Sequence, residues 1–423
     1  MKYTKPRGTE DWLPEIAQRY RTLIDMLFLI ANLNGYREIQ TPIFETSELF
    51  IRSVGATSDI VKKEFYAFKD KSDREMVLRP EGTAGIIRAV IEAKLLNKLS
   101  SPIKLSYAGP MFRYERPQNG RLRQFHQFGV ECINTNSVMD DVDLLLMAVT
   151  IMQTLGIKNY RLSINNIGNF VARDKWIKEL RRYFSKYKNQ LSEPSQSRIQ
   201  TNPLRILDDK EDGKKDFVKN APKIDKFLTN QEKEDFKSIT TYLNKMQINF
   251  IVDSTLVRGL DYYTNFIFEI NSTDERLAGQ PTIIGGGRYA NLVKELGGGE
   301  YSCLGFALGI ERLLLVLEYE NIALPSSIEK PIDVVVANLN EKSHFLAFLI
   351  LSILRSAGIP AVCKFDAYKL SKSFNYAETL KARFVIILGE KELKDEKVVI
   401  KNQKTLKQEV VEIKNIVSFI QNN

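Results

Sequence analysis

Residues 105–133 read LSYAGPMFRYERPQNGRLRQFHQFGVECI. Two extended runs flank a polar turn carrying Pro117, Asn119 and Gly120, which predicts a long β-hairpin. Side chains along a strand alternate between its faces. Phe125, Gln127, Gly129 and Glu131 therefore share one face, and His126, Phe128, Val130 and Cys132 share the other. The second face suits packing, and His126 reads there as a structural histidine. The first sets an amide and a carboxylate around a glycine gap, as if for a small polar ligand lying across the sheet. On the preceding strand Arg113 alternates with Met111 and Gly109, and the turn adds Arg116, Arg121 and Arg123. A guanidinium matches phosphate with planar, bidentate geometry. Four arginines around one hairpin fit either a phosphate ligand or a solvated charged turn.

Two segments further along shift that balance. TLVRGLDYYTNFIFEI (255–270) sets Arg258, Asp261, Tyr262 and Tyr263 just ahead of an apolar strand. CLGFALGIERLLL (303–315) places Gly305 and Gly309 before an amphipathic helix with Arg312 in its first turn. The positive end of the helix dipole disfavours a cation there. Arg312 needs another reason to sit at that position, and an anionic ligand supplies one. No GxxxxGK[ST] or GxGxxG pattern occurs, so neither a P-loop nor a Rossmann nucleotide site is supported.

Around these motifs the chain divides by composition. Residues 1–169 begin irregularly, become helical and continue as short extended runs broken by turns. Residues 170–248 are Lys-rich and helical in period, an inserted segment. Strand character returns over 249–325, including Thr282 to Ile284 before the glycines 285–287. A boundary follows between Pro325 and Pro331. Beyond it IDVVVANL reads as a buried parallel strand, and strands alternating with helices over 331–423 predict a small α/β domain.

The 423 residues are 43% apolar and 27% charged, a globular composition of two or three domains. Three cysteines, two histidines and no CxxC pair speak against a disulfide framework and a Cys/His metal centre. No apolar run approaches the ~18–20 residues of a membrane span, and the N-terminus lacks a signal-peptide core. The expectation is a soluble, cytoplasmic protein. A net charge of +9 fits a nucleic-acid partner as well as simple solubility.

At this point the motifs converge on one family. FRYER…RQFHQFGVE resembles motif 2 of class II aminoacyl-tRNA synthetases, GFALGIER resembles motif 3, and GYREIQTPIFETSELF (35–50) resembles motif 1. KPRGTED (5–11), LRPEGTAG (78–85), LVRGLDYY (256–263) and GGGRY (285–289) resemble the histidyl-tRNA synthetase family, over essentially the whole chain. The resemblance implies an α+β fold. Its catalytic domain, a six-stranded antiparallel sheet flanked by helices, would be split over 1–169 and 249–325. Residues 170–248 would be a helical insertion domain and 331–423 an α/β anticodon-binding domain. A homodimer through motif 1 is implied too.

The implied reaction converts histidine and ATP, with Mg²⁺, to histidyl-adenylate and pyrophosphate. The histidyl group then passes to the 3′-terminal adenosine of tRNA(His). Carried over by motif, Arg113 and Arg258 are the catalytic arginines. Arg113 would bind the α-phosphate, Arg312 the distal phosphates, and Arg121 the bent triphosphate. Arg258 would contact the histidine carboxylate and the α-phosphate. Glu81, Thr83 and Gln127 would hold the amino group, with Gly82 beside them. Glu131 and Tyr263 would bond the imidazole, and Tyr262 and Tyr289 would line the pocket. Arg116, Gln118 and Arg123 are acceptor-end candidates, and no dedicated metal site is implied. One departure stands out: after GGGRY the family commonly continues Asp-Gly, and this chain has Ala290-Asn291. The competing readings are a non-catalytic regulatory paralogue of histidine biosynthesis, a synthetase for another amino acid, and a bare RNA-binding module.

Overall fold

The computed structural model describes the chain except residues 1–2, 55–59, 98–101, 208, 210, 259, 261, 326–330, 366–367 and 390–395. It forms two compact units, Met1–Pro325 and Ser326–Asn423. The first opens with α1 (Pro14–Leu33), β1 (Arg37–Glu38), β2 (Phe44–Thr46), α2 (Ser47–Val54), β3 (Ala67–Lys69), β4 (Glu75–Leu78) and α3 (Thr83–Glu92). The hairpin β5 (Ile103–Phe112) and β6 (Gln124–Ile133) follows, then α4 (Val138–Thr154) and β7 (Tyr160–Asn166). A helical stretch comes next: α5 (Phe170–Ser185), α6 (Glu193–Thr201), α7 (Leu204–Leu207), α8 (Asp216–Lys219) and α9 (Asn230–Lys245). The unit ends with β8 (Ile251–Val252), β9 (Tyr263–Ser272), β10 (Thr282–Tyr289), α10 (Leu292–Glu295), β11 (Cys303–Gly309) and α11 (Ile310–Tyr319).

Its main sheet has the order β1-β5-β6-β11-β10-β9-β7-β8. The six inner strands pair antiparallel, as expected. The expectation missed the edges, where β1 and β8, two residues each, add in parallel. The sheet is apolar on one face because alternate residues of β6, β9 and β11 are apolar. Phe128, Val130, Phe266, Phe268, Leu304 and Phe306 are buried there against Leu23, Leu27 and Ile30 of α1 and the apolar stripe of α4. Burying each such side chain is worth about 1.5–3 kcal/mol against leaving it in water. Ser137 and Asp140 form a capping box that fixes where α4 starts. The glycines 285–287, read as following a short strand, lie within β10, which runs on to Tyr289.

The helical stretch has its own apolar centre around Trp176, Leu180, Phe184, Ile199 and Ile206. Its last helix, α9, instead places Ile239 and Leu243 in the main core and packs on α4. The second unit holds β12 (Val334–Asn338), α12 (His344–Ser356), β13 (Ala361–Cys363), α13 (Leu370–Thr379), β14 (Phe384–Leu388), β15 (Lys397–Asn402), β16 (Gln408–Glu412) and α14 (Ile416–Asn422). Its sheet runs β13-β12-β14-β15-β16, parallel across the first three and antiparallel thereafter. Among the described residues no helix is long and apolar enough to cross a membrane.

Candidate active site

The polar face of the β5–β6 hairpin is the floor of a cavity of about 290 Å³. The alternation of β6 turns Phe125, Gln127 and Glu131 into it, while His126 faces away between the Trp12 and Tyr20 rings and meets Glu311. The glycine gap, however, is not open. Tyr107 of β5 pairs opposite Gly129, and any Cβ at Gly129 would strike its ring. Tyr107 was missed because its cross-strand partner depends on register. A usable signal existed: residues 107, 109, 111 and 113 share one parity, so Tyr107 belongs to the face of Arg113.

Glu81, Glu131 and the tyrosines form one end. Glu81 sits just before α3, where its carboxylate accepts the Thr83 N–H at 2.6 Å and the Ala84 N–H at 2.9 Å. This caps the helix and places a negative charge at its positive end. Glu131 is 2% exposed. One of its oxygens accepts the Thr83 hydroxyl at 2.7 Å and the other the Tyr289 hydroxyl at 2.5 Å. Burial pushes the Glu131 carboxyl up to about 8, against the pull of those two hydrogen bonds. Burial raises the Glu81 carboxyl too, opposed by the backbone N–H groups it caps. Tyr262 and Tyr263 line the cavity with ring centres 4.8 Å apart. Tyr289, expected as a lining residue, lies behind Glu131 and orients it. Gly82 also lies outside the lining and packs against the Tyr107 ring. Asp261 falls outside the described residues.

Arg113, Arg121, Arg258 and Arg312 line the same cavity, the Arg258 guanidinium 5.5 Å from the centre of the Tyr263 ring. Arg113, just past β5, donates from Nε to the Pro80 carbonyl at 2.9 Å. Arg121 pairs with Glu115 and stands 3.9 Å from Glu64. Arg258 pairs with Glu269, which the sequence reading did not single out. Arg312 donates to the Gly120 carbonyl at 2.9 Å and to the Thr282 carbonyl. Burial lowers the Arg312 guanidinium to about 10, and the neighbouring Arg121 and Arg113 push it the same way. Burial likewise lowers Arg113. For Arg258 burial works against the charge, and Glu269 together with Tyr263 and Tyr262 more than restores it.

Two glycines make this crowding possible. A Cβ at Gly305 would meet the Glu131 carboxylate, and one at Gly285 would meet the Arg258 guanidinium. Four buried polar atoms on the cavity wall have no partner in the protein: the Tyr107 hydroxyl, Gln127 Oε1, Arg258 Nε and Arg312 Nε. Buried polar groups are normally satisfied, so these atoms are available to a polar ligand or water. Arg116, Gln118 and Arg123 stay outside the cavity. Arg116 and Gln118 are exposed, and Arg123 stacks 3.9 Å over the Tyr114 ring while donating to the Glu115 carbonyl. Among the described residues no three His, Cys, Asp or Glu side chains cluster as metal ligands.

Residues 8–313 match the family model for histidyl-tRNA synthetase, and 333–423 match that for an anticodon binding domain. The histidine–tRNA ligase of Malacoplasma penetrans (strain HF-2) is 47% identical over 94% of this chain and 93% of its own length. That of Lactobacillus johnsonii is 45% identical, covering 93% and 92%. A crystal structure of apo S. aureus histidyl-tRNA synthetase superposes with a TM-score of 0.82 at 36% identity, over 99% of this chain and 100% of that one. The chain belongs to the histidyl-tRNA synthetase family, whose reaction is the ATP-driven ligation of histidine to tRNA.

Proposed function

We propose that the cavity divides the family's reaction between its two ends. Histidine lies at the carboxylate end, its ammonium toward Glu81, Thr83 and Gln127, its imidazole N–H toward Glu131, and Tyr263 beside the ring. ATP enters the arginine end, with Arg113 on the α-phosphate and Arg121 and Arg312 on the β- and γ-phosphates. Arg258 spans the junction. A histidine carboxylate oxygen attacks the α-phosphorus in line, the bond to the β-phosphate bridge breaks, and pyrophosphate leaves. The developing charge spreads over phosphate oxygens, so positioned cations do most of the catalysis and no protein nucleophile is required. A hydroxyl of the terminal adenosine then attacks the activated carbonyl, and AMP leaves. Arg116, Gln118 and Arg123, on the outer side of the hairpin, are offered to the acceptor end.

Mg²⁺ fits as a companion of the triphosphate. It needs only one or two carboxylates and completes its octahedron with phosphate and water oxygens. Glu115 and Glu311 line the cavity and would be the carboxylates to share with it, Glu115 beside its Arg121 pair and Glu311 beside the His126 N–H it accepts; bound there, the ion would neutralise phosphate charge. The division into catalytic segments 1–169 and 249–325, an insertion at 170–248 and an anticodon-binding domain at 331–423 belongs to the same proposal. So do tRNA(His) as partner and a cytoplasmic location. A homodimer through residues 35–50 is supported by exposed apolar side chains on and near them, Leu29, Leu33, Ile43 and Phe44.

One observation carries this reading: two buried carboxylates and four arginines line a single cavity, and some of its lining residues carry buried polar atoms without a partner in the protein. Pyrophosphate exchange into ATP, run with each of the twenty amino acids, tests it. Exchange with histidine alone is expected. No exchange, with histidine still binding in calorimetry, would place the chain with the non-catalytic regulators.

A further inference from the structure

Tyr289, whose hydroxyl orients Glu131, is carried by a strand that does little to fix its own register. It reaches Glu131 across β11 at Gly305, which pairs with Glu131 on one side and Gly287 on the other. The run before it in β10 is three glycines, and glycine-rich strands specify their pairing weakly. Larger residues are barred, since a Cβ at Gly286 or Gly287 would meet the backbone of β11 or β9. The pairing with β9 shifts between Gly287 and Arg288. Arg288 supplies what the glycines lack. It lies on the opposite face from Tyr289, in the row of Leu304 and Cys132, against α4. Its Nη2 donates to the Asp141 carboxylate at 2.6 Å and the Ser137 carbonyl at 3.0 Å. Its Nη1 donates to the Ser302 hydroxyl at 2.7 Å and the Thr135 hydroxyl at 3.1 Å, and its Nε to Asp141 at 3.1 Å. Thr135 follows β6, Ser302 precedes β11, and Asp141 lies in the first turn of α4. One buried side chain thus ties β10 to both strands that Tyr289 must be in register with.

Stability alone is a poor reason for such a pair. A buried ion pair loses in desolvation much of what it gains in attraction, and apolar side chains in both places often serve the fold as well. What a buried pair can do is select one arrangement among near equals. Here the alternative is a slip of one residue, which would turn Tyr289 to the core face and Arg288 into the reaction cavity. We propose that Arg288 and Asp141 are positioning residues for histidine: they lock the register of β10 and so hold the Tyr289 hydroxyl against Glu131 from the far side of the sheet. Neither lines the reaction cavity. The inference rests on the reading of Glu131 as the acceptor of the imidazole N–H. Two hydroxyls fix that carboxylate, those of Thr83 and Tyr289. With the register loosened only the Thr83 bond remains, and histidine rather than ATP loses its partner.

The test uses the full chain and histidine-dependent pyrophosphate exchange. Arg288→Met combined with Asp141→Leu replaces the ion pair by apolar side chains, a change that folds often tolerate. Its KM for histidine is expected to rise about tenfold, the effect of slack in a positioned site. Its KM for ATP should move by less than about threefold. Ser302→Ala removes one hydrogen bond and leaves the ion pair, so it carries the test if the double replacement does not fold. Its KM for histidine should rise about threefold. Both variants are then repeated together with Tyr289→Phe, which has no hydroxyl to hold. There the increments should vanish, because changes that act through one contact do not add. An increment of the same size with and without the Tyr289 hydroxyl would overturn the proposal. Equal rises in both KM values would overturn it too, as would a lower kcat at an unchanged KM for histidine, the signature of lost folded protein. Absence of histidine-dependent exchange in the unaltered protein would instead sink the reading of Glu131, and is seen without any variant.

Discussion

The reaction cavity sets two buried carboxylates, Glu81 and Glu131, against three arginines, Arg113, Arg258 and Arg312. Burial acts on the two ends in opposite directions, raising the carboxyls and lowering Arg113 and Arg312. Their escape routes differ. Glu131, pushed up to about 8, relieves its burial at neutral pH by holding a proton. Arg312 stays charged there, since it comes down only to about 10. Glu131 can therefore rest neutral between turnovers, whereas Arg312 keeps a charge that an anion would meet.

The largest expected effect breaks the arginine end. Arg258→Ala should lower histidine-dependent pyrophosphate exchange by about 10³-fold or more, the worth of an arginine acting on a transferring phosphoryl group. A change of only a few-fold, confined to the KM for ATP, would mean that the arginines store ATP rather than stabilise the transition state. Glu131→Gln should cost about 100-fold in kcat/KM for histidine, the value of a charge-assisted hydrogen bond in a dry site. The KM for ATP should move by less than about threefold. An equal loss for both substrates would erase the distinction between the ends.

The glycines sharpen it. Gly305→Ala forces the Glu131 carboxylate aside, and Gly285→Ala forces the Arg258 guanidinium aside. Displacements of this size cost about 10- to 100-fold in a positioned site. The first should fall on the KM for histidine and the second on the rate of adenylate formation. Steady-state kinetics that show the same pattern for both would count against two separately built ends.

How much of this was legible depends on what the backbone forces. Strand alternation fixed the parity of Gln127 and Glu131 from the chain alone, because no other arrangement of an extended segment exists. Tyr107 and Glu269 were missed because each matters through a partner set by register or by a loop's path: Gly129 for one, Arg258 for the other. Glu269 did leave a trace, as a lone acid in the apolar run NFIFEI. The glycines 285–287 mislead a local reading, since glycine weakens a strand on its own. Here they extend β10 because larger residues would collide with what lies above and beside the sheet. The β15–β16 hairpin went unseen because lysines and glutamines interrupt its apolar alternation, as edge strands often require. In the second unit no cluster of unusual residues compensates for such interruptions, and its functional face was correspondingly silent.

The smallest effect concerns stability and follows from the carboxylate end alone. Glu131 has an ordinary value of 4.5 and rises to about 8 in the folded protein. The folded state therefore holds this proton more tightly than the unfolded one. Its contribution to stability is full below about 4.5 and is lost as the pH rises through about 8. Glu81 is shifted in the same direction and adds to the trend. Glu131→Gln stays neutral throughout and keeps a shape close to that of the protonated acid. Melting temperatures measured without ligands across this window should show the variant gaining on the unaltered protein by a few degrees as the pH rises. Histidine, by supplying an N–H to the carboxylate, should shrink that gap in the unaltered protein. A constant difference between the two across the window would mean that Glu131 is already ionised when the cavity is empty, and the contrast between a resting and a waiting end would fall.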